Sequence, residues 1–229
     1  VSAAVPHISQ GDARKRAAPD HLLGGPTSDL PEIDDALNAR LDALCEEGWS
    51  LFERFDTTVR DRGFHPFVNA DYGIVRRALV RYRRPGLRFL EWGSATGVIT
   101  IMADMLGFEA YGIELDTSLT KTARALADRF HSKAKFAAGS FLPTGYRWTT
   151  SDGDARTGTL GSGPSGYLQL GHALDEFDIV FGYPWGGEGP MMLDLMKQYG
   201  QPGALLLLND TNDGVRAYRD GREVTLSGN

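Results

Sequence analysis

The chain has 229 residues, 41% of them apolar and 10% aromatic, with one cysteine and a formal net charge of -6 at neutral pH. That length buries one substantial core, so a single domain is expected over 31–229 behind a flexible tail at 1–30. Lone Cys45 excludes an internal disulfide, the five scattered histidines add no zinc cluster, and the acidic balance argues against a protein whose main business is coating nucleic acid.

Residues 1–30 mix Gly, Pro, Ser, Ala and charges without periodicity and include the breaker Gly24-Gly25-Pro26. Val1 to Gln10 show neither a basic start nor a long apolar stretch, which makes a reducing cytoplasm the expected location. No apolar run approaches the roughly 18 to 20 residues that a membrane span needs. From Pro31, apolar residues Ile33, Leu37, Leu41, Leu44, Trp49 and Phe52 recur at helical spacing, with Pro31 suited to a first turn. A second helix is predicted from Asp71 to Tyr82, with Tyr72, Val75 and Leu79 on one face, ending before Pro85-Gly86. Arg76, Arg77, Arg81, Arg83 and Arg84 read as a solvated helix face, and His65 as a packing or cap residue.

Beyond residue 84 strands alternate with helices: Leu87 to Trp92, Val98 to Leu106, Ala110 to Leu115, Ser118 to Phe130 and Lys135 to Phe141. Asp178 to Phe181, Met191 to Tyr199 and the leucine-rich Ala204 to Leu208 continue the pattern. The expected fold is α/β, a doubly wound, mostly parallel sheet with N-terminal helices in 31–84. Asp220-Gly221 between Val215 to Arg219 and Glu223 to Leu226 predicts a C-terminal antiparallel hairpin. Pro143 to Glu176, rich in Gly, Ser, Thr and aromatic residues, stands where a crossover helix would run and reads as an insertion, a long loop or β-arm.

FLEWGSATG, Phe89 to Gly97, puts an acidic residue at the end of a strand, then Gly93, Ala95 and Gly97 at alternate positions, then an apolar helix. Small residues let backbone amides approach a ligand, and the first turn of the helix carries unpaired N–H groups. The next strand ends in YGIELD, where Glu114 can accept hydrogen bonds from two ribose hydroxyls. The bland alternatives are an ordinary tight turn and a solvated carboxylate, and neither accounts for the combined spacing. A nicotinamide dinucleotide site expects GxGxxG, whereas the small residues here fall as G-x-A-x-G behind Glu91.

EWGSATG and GIELD resemble the class I, Rossmann-like methyltransferases that use S-adenosyl-L-methionine (SAM), in particular small bacterial-type members, and the likeness runs from about Phe64 onward. The resemblance implies that Glu91 receives the methionyl ammonium, that the backbone of Gly93, Ser94, Ala95 and Gly97 contacts the methionyl and ribose parts, and that Glu114 holds the ribose. Ala95 takes the place of the middle glycine. Ser140, in AAGSF, stands where such proteins often carry an acidic residue toward the adenine, leaving adenine recognition to Ser140, Phe141 and nearby backbone. HPFVNADYGIVRRAL resembles a segment folded over the cofactor, with Phe67 and Tyr72 as its wall.

Tyr183-Pro184-Trp185 resembles the Asp/Asn-Pro-Pro-aromatic signature of amino-group methyltransferases, with Gly182 where the oxygen-bearing side chain would stand. The resemblance implies catalytic roles for Tyr183 and Trp185, whose faces suit a sulfonium or a cationic amine. Glu188 is the nearest carboxylate able to take a proton, the alternative being that the aromatics plug the sheet end while Glu188 is solvated. The expected function is methyl transfer from SAM, leaving S-adenosylhomocysteine (SAH), to a nitrogen or oxygen nucleophile on a small molecule or protein side chain. No metal is expected. A non-catalytic SAM-binding module is the second reading, motivated by Gly182 and Ser140, and a nicotinamide-dependent oxidoreductase the third.

Overall fold

Capping side chains start three of the helices and set where each begins. The computed structural model describes residues 30–59, 68–147, 163–184, 187–210 and 214–224. Helix α1 (Asp35–Val59) opens at Asp34, whose Oδ1 accepts from the Leu37 N–H at 2.7 Å. Pro31 therefore lies ahead of the helix rather than in its first turn, because an aspartate that satisfies an orphan N–H is the stronger start signal. Asp71 caps α2 (Tyr72–Tyr82) through the Ile74 N–H at 3.0 Å. Asp116 caps α4 (Thr117–Arg129) through the N–H groups of Ser118 and Leu119.

Seven strands form one sheet: β1 (Arg88–Trp92), β2 (Glu109–Glu114), β3 (Lys135–Ala138), β4 (Ile179–Gly182), β5 (Leu205–Asp210), β6 (Gly214–Arg219) and β7 (Arg222–Glu223). Their spatial order is β3-β2-β1-β4-β5-β6-β7. The first five pair in parallel, and β6 and β7 are antiparallel. Asp220 and Gly221 both take positive φ, 49° and 75°, the requirement of the two-residue hairpin turn that the sequence signals. Residues 225–229, which include the last two of the strand expected over Glu223 to Leu226, lie outside the described residues.

Period-2 alternation splits the core across the sheet. Phe89, Ala110, Ile179, Phe181, Leu205 and Leu207 face one layer with α1, α2, α3 (Val98–Met105) and α4. Leu90, Trp92, Tyr111, Ile113, Val180 and Leu206 face the other, with α5 (Gly166–Leu170) and α6 (Gly189–Tyr199). Helix α5 corrects the expectation of an irregular loop or β-arm over 143–176. Its end of that segment crosses back as a short helix on β2 and β3, followed by a 3-10 turn at Leu174–Glu176. Residues 148–162 of the segment, like 1–29 of the tail expected at 1–30, lie outside the described residues.

Arg77 and Arg81 are exposed, as the run suggests, whereas Arg76, Arg83 and Arg84 are half-buried. Arg76 turns to α1, donating to Asp42 at 2.7 Å and to Asn38, while Arg83 donates to the Pro31 carbonyl at 2.9 Å. No helix among the described residues is long and apolar enough to cross a membrane.

Candidate functional site

The chain runs outward from β1 to β2 and β3 and then returns past β1 to β4, so the strand order reverses between the parallel neighbours β1 and β4. In open α/β sheets the loops at the carboxyl ends of two such strands diverge and leave a crevice. Here that crevice is a cleft lined by Val68 to Ala70 and Tyr72, by Glu91 to Thr96 with Val98 and Ile99, and by Phe181 and Tyr183. It brings together Tyr72, Glu91, Gly93, Ser94, Ala95 and Tyr183 from the sequence reading. Among the described residues its lining holds no lysine or arginine.

Glu91 sits at the base, 5% exposed. Its Oε2 accepts from both the backbone N–H of Thr100, at 2.9 Å, and the Thr100 hydroxyl. Burial pushes its pKa up to about 8, the charge of Glu114 adds to the rise, and the two Thr100 donors oppose it. Thr100 was not singled out from sequence. Its signal is a polar residue in the otherwise apolar first turn of VITIMADM, where an N–H without a helical partner is available to a carboxylate.

Two glycines of the loop do different work. Gly93 has φ +70°, and a Cβ there would meet nothing within 4 Å. Gly97, at φ +79°, caps α3, and its Cβ would fall 2.7 Å from the Phe136 ring and 2.8 Å from Ala123. The first glycine leaves the loop open, and the second lets α3 dock on the sheet. Between them Ala95 also takes positive φ, 44°. Its N–H donates to Glu114 Oε2 at 2.8 Å, while Glu114 Oε1 accepts from the Asp116 N–H at 2.8 Å. Burial raises the Glu114 pKa, and these two backbone donors counter it. Each carboxylate oxygen has a second lone pair, so Glu114 keeps capacity for hydroxyl donors. Ser94 Oγ is buried without a hydrogen-bond partner, at the place where a Cβ on Gly112 would come within 2.7 Å.

Tyr72 forms one wall, 5% exposed, its ring edge-on to Trp49 at 5.6 Å between centroids. Gly48 makes room for it, since a Cβ there would lie 2.9 Å from the Tyr72 ring. Burial and the Glu91 charge raise the Tyr72 pKa, so the phenol stays protonated, and it donates to Asn69 Oδ1 at 2.8 Å. Asn69 is a further cleft residue that the sequence reading passed over. Phe67 lies outside the described residues.

On the opposite side Tyr183 follows β4 and is hydrogen-bonded by the buried side chain of Asn209 at the end of β5. Burial raises its pKa, and the bond from Asn209 partly offsets this. Trp185 lies outside the described residues. Glu188, at the start of α6, is 3% exposed, which overturns the reading of a solvated carboxylate. The loop folds inward there, and the Glu188 carbonyl accepts from the Met192 N–H at 2.9 Å.

Ser140 and Phe141 do not line the cleft. The Ser140 N–H donates to the Pro164 carbonyl and its carbonyl accepts from the Gly166 N–H, both at 2.9 Å, so Ser140 ties the end of β3 to α5. Phe141 stacks on Trp92 at 5.4 Å, in the core of the α5–α6 face.

No family model matches the chain. It is 38% identical over 72 residues to a ribosomal protein L11 methyltransferase of Thermus thermophilus, a match that spans 30% of this chain and 28% of that protein. It is 34% identical over 68 residues to the protein of the same name from Ralstonia pickettii, across 29% of this chain and 23% of that one. The chain thus spans about a quarter of the length of these curated relatives. Similar solved structures include a methyltransferase from Geobacter sulfurreducens, at 18% identity over 78% of each chain with a TM-score of 0.44. Another is an RNA methyltransferase from Salinibacter ruber in complex with S-adenosyl-L-homocysteine, at 18% identity over 62% of this chain and 76% of that one with a TM-score of 0.43.

Proposed function

We propose that this chain is a SAM-dependent methyltransferase acting on a nitrogen or oxygen nucleophile. The observation that carries the proposal is electrostatic. Buried Glu91 faces the cleft and buried Glu114 braces the loop from behind, and among the described residues no lysine or arginine lines the cleft to balance them. A buried carboxyl at the cleft with a second behind its loop, and no cation beside either among the described residues, favours a cationic ligand, which draws Glu91 into its charged form, over a pyrophosphate. SAM carries an ammonium and a sulfonium, whereas a nicotinamide dinucleotide brings a pyrophosphate to its glycine-rich turn. The partial identity to the L11 methyltransferases points the same way.

When bound, SAM supplies an electrophilic methyl group on sulfur. The chain supplies position: Glu91 for the ammonium, the Gly93 to Gly97 backbone for the amino-acid and ribose parts, Glu114 for the ribose hydroxyls, and Tyr183 with Asn209 for the acceptor. In-line displacement needs alignment more than covalent help, and orientation lowers such barriers by several kcal/mol. The Tyr183-Pro184-Trp185 sequence favours nitrogen, on a small molecule or protein side chain, and the net charge of -6 disfavours nucleic acid.

Isothermal titration of the full chain with SAM and SAH tests the cofactor half. Binding is expected, competitive between the two and unaffected by NADH; no heat at millimolar ligand sinks it. Incubation with cell extract and labelled SAM, read by mass spectrometry, tests turnover. A protein that binds SAM yet labels nothing is the non-catalytic module instead.

A further inference from the structure

The segment ahead of α2 contributes a polar group to the cleft that the proposed function does not yet use. Asn69 lines the same cleft as Glu91. Its Oδ1 accepts from the Tyr72 hydroxyl at 2.8 Å, and its Nδ2 is buried without a hydrogen-bond partner. A buried donor left unpaired costs on the order of 1–3 kcal/mol, so such a group is normally met by a ligand or water. The amide orientation follows from its neighbours. The Tyr72 phenol is a donor and takes the oxygen end, which leaves the N–H groups for the cleft side.

We propose that Asn69 is a ligand-binding residue whose Nδ2 donates to the carboxylate of an amino-acid-bearing ligand, with Tyr72 holding the amide in that orientation. The assignment rests on the proposed SAM site and names the partner of the ligand's carboxylate there. It complements Glu91: a zwitterion needs an acceptor for its ammonium and a donor for its carboxylate, and the cleft presents both. Tyr72 is then a positioning residue. It acts on the ligand through Asn69, and Gly48 and Trp49 of α1 hold its ring in place.

The test compares SAH with its decarboxylated analogue, which lacks only the carboxylate, by isothermal titration on the full chain. The wild-type chain is expected to prefer SAH by about 10-fold or more, the size of one charge-assisted hydrogen bond. Asn69→Ala is expected to erase most of that preference, weakening SAH about 10-fold while leaving the analogue within about 2-fold. Asn69→Asp is expected to reverse it, because a carboxylate then faces a carboxylate. Tyr72→Phe keeps the ring and is expected to lower the preference by a smaller factor than Asn69→Ala. Thermal unfolding of each variant separates loss of fold from loss of contact. An unchanged preference in Asn69→Ala, or an equal loss for both ligands in a folded variant, overturns the assignment and leaves the cofactor standing. A wild-type chain that binds neither ligand overturns the cofactor, and this assignment with it.

Discussion

The backbone N–H of Ala95 donates to Glu114 Oε2 at 2.8 Å, so the carboxylate closing β2 fixes the middle of the loop that follows β1. Ala95 holds a positive φ of 44°, which a residue with a Cβ adopts only at some cost. The bond helps keep it there, and the Asp116 N–H on the other oxygen holds the carboxylate itself. Glu114→Ala removes both acceptors. Hydrogen bonds to a charged group contribute about 1.5–3 kcal/mol, so SAH affinity is expected to fall by about 10- to 100-fold. Calorimetric titration measures it, and an unchanged dissociation constant shows that Glu114 neither shapes the loop nor touches the ligand.

Gly93 and Gly97 separate binding from folding. A Cβ at Gly97 overlaps the Phe136 ring and adds positive-φ strain, so Gly97→Ala is expected to destabilise the fold by about 1–3 kcal/mol in urea unfolding. A Cβ at Gly93 meets open space, so Gly93→Ala is expected to cost the fold about 1 kcal/mol, from positive φ alone. Gly93→Leu extends into the space above the loop and is expected to abolish SAH binding in a folded protein. Equal stability losses at the two positions contradict this division.

The loop was legible because its chemistry is local. Glycine spacing, a strand before and a helix after place Glu91, Gly93 and Gly97 from sequence alone, and the same pattern gives the parallel sheet. What escaped depends on long-range packing. Asn69 shares the cleft with Glu91 only through the tertiary fold, in which α2 packs on α3 and β6, and nothing near it in sequence marks it as a cleft residue. The likeness that suggests adenine contacts for Ser140 and Phe141 does not register that Phe141 stacks on Trp92 or that Ser140 joins β3 to α5. Those contacts come from the segment before α5, whose composition gave no periodic signal. Glu188 looked solvated beside glycines, yet its loop turns inward at α6.

The core under the acceptor loop contains a buried polar pair whose loss is measurable without any ligand. Trp92 Nε1 donates to the Tyr167 hydroxyl at 2.9 Å, and both side chains are buried. This bond links the end of β1 to α5. Tyr167→Phe leaves the indole N–H unpaired in the core and is expected to lower stability by about 1–3 kcal/mol. Trp92→Phe with Tyr167→Phe removes both polar ends, so the pair is expected to lose less than the sum of the single changes. Additive losses show that the bond contributes nothing.

Glu91 supplies the pH dependence. Burial pushes its folded-state pKa up to about 8 from the ordinary glutamate value of 4.5. Below pH 4.5 the carboxyl is protonated in both folded and unfolded chains and imposes no penalty. Between 4.5 and about 8 the unfolded chain releases a proton that the folded chain keeps, so this group's contribution falls with rising pH by about 1.4 kcal/mol per unit. Above about 8 it levels off. Glu91→Gln preserves an oxygen for Thr100 and cannot ionise, so its stability relative to wild type is expected to rise from pH 5 to pH 8 in parallel urea titrations. Ligand binding carries the opposite sign. An ammonium beside Glu91 favours the carboxylate, so SAH binding near pH 7 is expected to release a proton and to tighten as pH approaches 8. Titration in two buffers of different ionisation enthalpy counts that proton. If the wild-type chain binds SAH without proton release, the ammonium and Glu91 do not meet.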